Sequence, residues 1–416
     1  MFDRTTAVVL AAGAGRRLSP LTNRRPKPMI PVANKPLLEH VIDAVSDAGV
    51  DEIVLVVGYE RERIQTHFGD GDDWDVTIRY VVQNRQLGTA HAVAQAEPHV
   101  DAPFLVLNGD RIVEPSAVAD VRDALTEGAA PAAMAVTRSD RPGAYGVVTV
   151  RGDRVETIVE KPRRQAASEV INAGVYGFTP AVFDAIERTE PAADGEYELP
   201  DTVGRLIDES GVRAVRYDGG WHDVSHLWDL LAVTDDVLDR DGGAVEGRVA
   251  PGGRVDDRCV VAPTGSVGRN AVVAGGTAIG ANARVGPNAT VERSVLLPDA
   301  SVEAGAVIRD CVVGAGAVVG ANATVRGGTA AVVVRGRTPR ERQTRRRARR
   351  RRGRRRRRGG GSRNRSRHRR RRRGRRVGER TDCRRRDRTE GITCVGSSAT
   401  PATGLPFRFS PRGCRT

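Results

Sequence analysis

The 416-residue sequence predicts an α/β domain on a mixed, mainly parallel sheet, followed by a short-period solenoid and an arginine-rich tail. Three observations carry that reading. Apolar strand-like runs alternate with helical patterns from Thr6 to about Arg240, aliphatic residues recur every six positions from Val255, and arginine takes over abruptly after Val334. Unbroken apolar strands joined by crossover helices describe a sheet covered on both faces. A short fixed period describes a coil that stacks on itself.

The elements follow in order. TAVVLAA from Thr6, EIVLVVG at 52–58 and FLVLNGD at 104–110 read as buried strands. Between the first two, PLLEHVIDAVSDAG (36–49) spaces its apolar residues at helical intervals and closes on glycine. Beyond residue 145 the pattern is strand-rich (YGVVTV, VETIVE, VINAGVYGF), with two helical segments expected near 198–210 and 225–239. In the repeat, aliphatics stand at Val255, Val261, Val267, Val273, Ile279, Val285, Val291 and Leu297. The register then slips by one and resumes at Val302 and Ile308, and again at Val313, Val319 and Val325. One aliphatic per six with small residues between resembles the hexapeptide left-handed parallel β-helix, whose triangular coils take three hexads and point the aliphatics inward. The expected domains are 1–240, 250–334 and 335–416.

Charge divides the chain differently. Residues 336–416 hold 33 arginines, no lysine and five acids, a net +28, so the remainder carries −13 within the overall +15. An acidic body repels nucleic acid, and the tail lacks the interleaved aromatics of a single-strand binder, its Phe407 and Phe409 standing far from the arginine runs. We therefore expect no specific nucleic-acid partner. Five cysteines at 259, 311, 383, 394 and 414 show no metal-type spacing and suit free thiols in a reducing, cytoplasmic setting. No run approaches a membrane span, so no membrane partner is expected. The tail reads as a disordered segment and as a frameshift product. Val, Ala, Gly, Asp and Glu codons all begin with G; in GC-rich DNA, shifted reading of C followed by G produces CGN, which is always arginine.

The first strand runs into LAAGAGRRLSPLTNRRPKPMIPVANKPLLEH. A glycine-rich turn after a strand can cradle phosphate with backbone N–H groups. It is neither GxGxxG, because Leu18 stands at the third glycine position, nor a Walker loop, because no GK[ST] follows. Its surroundings are informative: Arg16, Arg17 and Lys27 gather positive charge, and prolines bracket Lys27. Lysine is otherwise scarce in the body, where only Lys35 and Lys161 join Lys27.

Residues 10–28 follow the pattern LAAGxGxRLxPLTxxxPKP almost throughout, with Arg16 where threonine is usual. QNRQLGTAHA (83–92), LNGD (107–110), GAYGVV (143–148), EKP (160–162), NAGVYGF (172–178) and WHDV (221–224) follow in order. In these motifs the chain resembles the sugar-1-phosphate nucleotidyltransferases, over about residues 5–240 and then the hexapeptide solenoid. The form RQLGTAHA is most similar to the N-acetylglucosamine-1-phosphate uridylyltransferase branch, with thymidylyltransferases close by.

The resemblance implies a Rossmann-like nucleotidyltransferase domain. Its reaction moves a nucleotidyl group from UTP or dTTP to a sugar 1-phosphate, with in-line attack at the α-phosphorus and release of pyrophosphate. Such chemistry needs positioning and charge stabilisation rather than a covalent intermediate. By the resemblance, Arg17 holds the β- and γ-phosphates and Lys27 the sugar phosphate and α-phosphate. Asp110 and Asp223 hold Mg²⁺. Leu10, Ala11, Ala12 and Gly13 with Gln83 read the base, and Gly88 and Thr89 close on base and ribose. Gly146, Glu160, Lys161 and Asn172 meet the sugar. His91, His222, Trp221 and Trp228 are expected to be structural. Three alternatives stand beside this reading: a second, acetyltransferase activity on the solenoid, a non-catalytic regulatory subunit, and a nucleic-acid-binding protein. The first lacks a histidine base, since none occurs between 227 and 367. The expected partners are a nucleoside triphosphate and a sugar 1-phosphate, with a homo-oligomer formed through the β-helix.

Overall fold

Side chains of the strand Thr6–Ala11 alternate between two cores: Ala7, Val9 and Ala11 enter one, Val8 the other. Phe104–Asn108 does the same, with Leu105 and Leu107 on the first side and Phe104 and Val106 on the second. This period of two buries both faces. The computed structural model describes residues 5–327 apart from positions 14, 24, 128–129, 163–167 and 194. It adds two short strands, Val332–Val334 and Ile392–Cys394.

Nine strands form the main sheet, in the spatial order 77–82, 52–57, 6–11, 104–108, 170–178, 132–138, 213–216, 154–160, 146–151. The first four run parallel to one another. Val170–Phe178 then enters antiparallel to Phe104–Asn108, which makes the sheet mixed. Helices Leu37–Asp47 and Pro115–Glu127 cover one face, while Thr89–Ala94, Val182–Glu187 and Leu199–Glu209 cover the other. The strands expected from the sequence are present, and the helix expected over 36–49 spans Leu37–Asp47. The segment expected over 225–239 begins four residues later, as Asp229–Asp241. Asp229 accepts the backbone N–H groups of Ser225 and His226, which holds the preceding turn outside the helix.

The repeat forms three parallel sheets that stack coil on coil, a parallel β-helix. Its first strand is Ala244–Val245, several residues before the expected start. Val261 pairs with Ile279, eighteen positions on, whereas Ile279 pairs with Leu296, only seventeen on. The inward residue is therefore Leu296, not Leu297 as the six-residue count expects. The slip falls between Val291 and Leu296 and recurs between Ile308 and Val313. Leu297 joins a different cluster outside the coil, packed with Leu230, Val233 and Val237 of Asp229–Asp241. That cluster also takes in Val260, Ala278, Val295 and Val312 from one solenoid face, and Leu18 and Ile30 from the glycine-rich loop region. Arg258 reaches Asp235 at 2.8 Å, and Asn34 Nδ2 donates to the Ile279 carbonyl at 2.9 Å. The two domains share an apolar interface with a polar rim.

Val332–Val334 extends one solenoid face and pairs antiparallel with Ile392–Cys394. The expectations of disorder and of a frameshifted origin for the tail otherwise lie outside the described residues. Among the described residues, no helix is long and apolar enough to cross a membrane, and Cys259 and Cys311 are buried.

Candidate active site

A cleft of about 480 Å³ opens at the carboxyl ends of Thr6–Ala11 and Phe104–Asn108, the edge at which open α/β sheets present ligand-binding loops. The first strand delivers Leu10–Gly13 to it. Gly15 has φ +61, and a Cβ there would lie 2.6 Å from Lys27 Cβ, so glycine allows the two segments to meet. Pro26, with φ −64, leads into the short 3₁₀ turn Lys27–Met29 and fixes the approach of Lys27. Lys27 Nζ then meets Asp110 Oδ2 at 2.5 Å. Residues 83 positions apart in sequence are brought into direct contact by the adjacency of the two parallel strands.

Asp110 lies beside two cations. Burial works to raise its pKa, but Lys27 and Arg111 outweigh burial and hold the carboxyl below its usual range. Arg111 follows Asp110 on the strand Arg111–Val113, which pairs antiparallel with Trp221–Asp223 and places Asp223 opposite Arg111. Arg111 Nε stands 4.0 Å from Asp110 Oδ1 and 3.7 Å from Asp223 Oδ1. The other Asp223 oxygen, Oδ2, accepts from Ser225 Oγ at 2.7 Å. Asp110 lines the cleft, but Asp223 is turned to Arg111 and does not.

At the opposite end, Gln83 is buried and its amide nitrogen is engaged twice, with the Gly88 carbonyl at 3.1 Å and His91 Nδ1 at 2.9 Å. His91, expected to be structural, thus orients Gln83. Burial and the nearby Arg85 lower the His91 pKa and favour the neutral ring that can accept this bond. Gly88 has φ +99, and a Cβ would fall 2.4 Å from the Tyr197 carbonyl oxygen. The backbone of Tyr197 therefore explains this glycine without any ligand. Thr89 Oγ1 donates to Glu198 and accepts from the Leu199 N–H, joining the loop to Leu199–Glu209.

Gly146, Glu160, Lys161 and Asn172, expected to meet the sugar, also line the cleft. Gly146 lies against Glu160, with 2.9 Å between its would-be Cβ and Oε2, and Glu160 pairs with Lys161. Asn172 is buried and internally bonded: its amide donates to Tyr176 Oη at 2.6 Å and its oxygen accepts from the Gly174 N–H at 2.9 Å. It holds the register shift in Val170–Phe178 that turns this strand at the cleft. Burial, with help from Glu160, pushes the Glu198 carboxyl upward.

Of the expected residues, Arg17 alone among the phosphate-binding group stands outside the lining; it is exposed, and Arg16 lines the cleft instead. Gln86 and Arg111 are among the cleft residues that were not legible as site residues in the sequence. Gln86 donates to the Ala12 carbonyl at 2.7 Å and braces the glycine-rich loop; its place within QNRQLGTAHA was the available signal. Arg111 had only its position after LNGD to mark it. His222 and Trp228 lie outside the cleft lining, Trp228 stacked on His226 at 4.5 Å.

A glycine-rich loop at the carboxyl edge of a parallel sheet, faced by a lysine–aspartate pair, defines an α/β protein suited to holding phosphate groups. Residues 6–240 match the nucleotidyl transferase family, and the chain belongs to that family. Residues 255–337 match the GMPPB C-terminal domain. The chain is similar to the bifunctional protein GlmU of Methanococcus maripaludis, 38% identical over 245 residues, covering 58% of this chain and 57% of that protein. It thus spans little more than half the length of that relative. It is similar to UTP–glucose-1-phosphate uridylyltransferase AglF of Haloferax volcanii, 40% identical over 225 residues, covering 53% of this chain and 91% of AglF. A solved Bacillus anthracis chain classed as a glucose-1-phosphate thymidylyltransferase superposes with a TM-score of 0.53 at 25% identity. That match covers 57% of this chain and 96% of the other.

Proposed function

We propose that the protein transfers a nucleotidyl group from UTP or dTTP to N-acetylglucosamine 1-phosphate or glucose 1-phosphate, forming an NDP-sugar and pyrophosphate. The contact of Lys27 with Asp110 in the cleft supports this most directly. It sets a cation where two phosphate-bearing substrates must approach each other, beside a carboxylate suited to a divalent ion. A carboxylate with no thiolate or imidazole beside it suits a hard ion such as Mg²⁺, which is held by few protein groups and completes its shell with phosphate and water. Asp110, which lines the cleft, would hold it, and the ion would supply charge neutralisation at the phosphates; Asp223, expected beside it, is turned to Arg111 instead.

The chain's own residues do the rest. Lys27 orients the α-phosphate and the attacking sugar phosphate so that the sugar-phosphate oxygen meets phosphorus opposite the departing pyrophosphate. The glycine-rich loop with Arg16 holds the leaving group, Arg17 standing outside the cleft. With its amide nitrogen engaged by Gly88 and His91, Gln83 keeps its oxygen for a donor such as the pyrimidine N3–H. Glu160 accepts sugar hydroxyls. No general base is required, because the sugar phosphate is already an anion.

The test is pyrophosphate release by the full chain with Mg²⁺ against a matrix of nucleoside triphosphates and sugar 1-phosphates. Turnover is expected with a pyrimidine triphosphate, and absence of turnover across the matrix overturns the reading. Lys27→Ala should lower kcat by about 10²–10³-fold with its circular dichroism unchanged. A Lys27→Ala enzyme of wild-type turnover would remove Lys27 from the chemistry.

A further inference from the structure

Arg111 is a cation at the cleft for which the proposed reaction has no role so far. Its guanidinium lies over the Tyr145 ring at 5.3 Å and the Trp221 ring at 4.9 Å, which hold it between two aromatic faces. Those rings meet edge to face, and Trp221 Nε1 is anchored on the Ala173 carbonyl. Asp110 and Asp223 counter its charge from 4.0 and 3.7 Å, beyond hydrogen-bond distance. Nε and Nη1 are buried and have no hydrogen-bond partner. Buried donors are normally satisfied, and an exception at a cleft needs an explanation, a catalytic role or a bound ion among them. A guanidinium keeps its charge and presents N–H donors along both edges; Nε and Nη1 lie on different edges, so each edge has one unpaired donor to offer a phosphate oxygen.

We propose that Arg111 is a phosphate-binding residue of the active cleft, and that its ligand is the phosphate of the acceptor sugar 1-phosphate. This rests on the transferase reading above. The location selects the acceptor. Arg111 packs beside Gly174, 3.4 Å from where a Cβ would stand, and under Tyr145, which precedes Gly146. It therefore lies on the Gly146–Asn172 side of the cleft, with Leu10–Gly13 and Gln83 at the other end. Lys27 and Arg111 flank Asp110, so one carboxylate sets the spacing of two cations around one phosphate. Asp223, with its second oxygen fixed by Ser225, is a positioning residue for the guanidinium.

Equilibrium binding by calorimetry of the metal-free full chain tests this without turnover, with glucose 1-phosphate, inorganic phosphate and UTP as probes. Arg111→Gln should weaken glucose 1-phosphate and inorganic phosphate by about tenfold or more and leave UTP within about threefold, and Arg111→Lys should recover part of the loss. In steady state the KM for the sugar phosphate should rise while the KM for UTP holds. Unchanged glucose 1-phosphate binding in Arg111→Gln overturns the proposal, as does an equal loss for UTP. Should Arg111→Gln not fold, by its thermal midpoint, Arg111→Lys decides: an unaltered affinity for glucose 1-phosphate overturns the proposal. The transferase reading fails separately, if wild-type protein binds glucose 1-phosphate yet releases no pyrophosphate with any triphosphate.

Discussion

At Gly88 a single hydrogen atom in place of a side chain decides where a loop runs. Its φ of +99 and the approach of Tyr197 both exclude a β-carbon. The loop carries Thr89 and receives the Gln83 amide, so strain there reaches the Gln83 end of the cleft. Gly88→Ala should cost about 2 kcal/mol of stability and raise the KM for the triphosphate more than that for the sugar phosphate. Urea midpoints and paired KM measurements check this, and unchanged values of both would show that the loop yields freely. Gly88 and Lys27 were legible in the sequence because their motifs are local and ordered. Arg111 was not: its surroundings are Tyr145, Trp221 and Asp223, and only the pairing of Arg111–Val113 with Trp221–Asp223 brings them together.

The helix Leu37–Asp47 buries Leu38, Val41, Ile42 and Val45 against the sheet, and on the same element His40 is buried with Nε2 on the Val32 carbonyl at 3.1 Å. Burial lowers its pKa to about 4, against an ordinary 6.5. The unfolded chain therefore takes up a proton near pH 6.5 that the folded chain refuses until about pH 4. Stability from this group is complete above pH 6.5 and declines across that window, by roughly 3 kcal/mol in all. His40→Gln keeps a donor for Val32 without the titration. Comparing urea midpoints at pH 7.5 and 4.5 should show a smaller loss in the variant, and equal losses would assign the effect to other groups. The helix itself followed from its period, whereas the burial of one polar position within it did not. The solenoid taught a similar lesson at Leu296 and Leu297. Both are aliphatic, and counting by six from Val291 selected Leu297; the seventeen-residue coil puts Leu296 inside instead.

Over the whole molecule, the helix Asp229–Asp241 joins the two folded units, with Leu230, Val233 and Val237 set against Val260, Ala278 and Val295. Leu18 and Ile30 share that cluster, so the solenoid braces the region of the glycine-rich loop as well as stacking on itself. Charge is divided quite differently, with −13 in residues 1–335 and +28 beyond. Removing residues 336–416 should abolish retention on heparin, a retention expected to fall steeply with salt, and leave transferase turnover within about twofold. Loss of turnover on that deletion would give the tail a part in catalysis. Salt-resistant retention would mark a specific polyanion site.

The alternating strands and helices of residues 6–240, the coil from its six-residue aliphatic period and the order of the motifs that line the cleft were all determined by the sequence alone. Each rests on local periodicity or contiguous residues, which neighbours in the chain are enough to specify. Only the tertiary structure decided that Lys27 touches Asp110, that Arg111 lies between Asp110 and Asp223, that Tyr197 explains Gly88, and that Leu297 faces a helix instead of the coil interior. These are contacts between segments tens to more than a hundred residues apart. They depend on strand order and register across the sheet and between the domains, which a linear pattern does not encode.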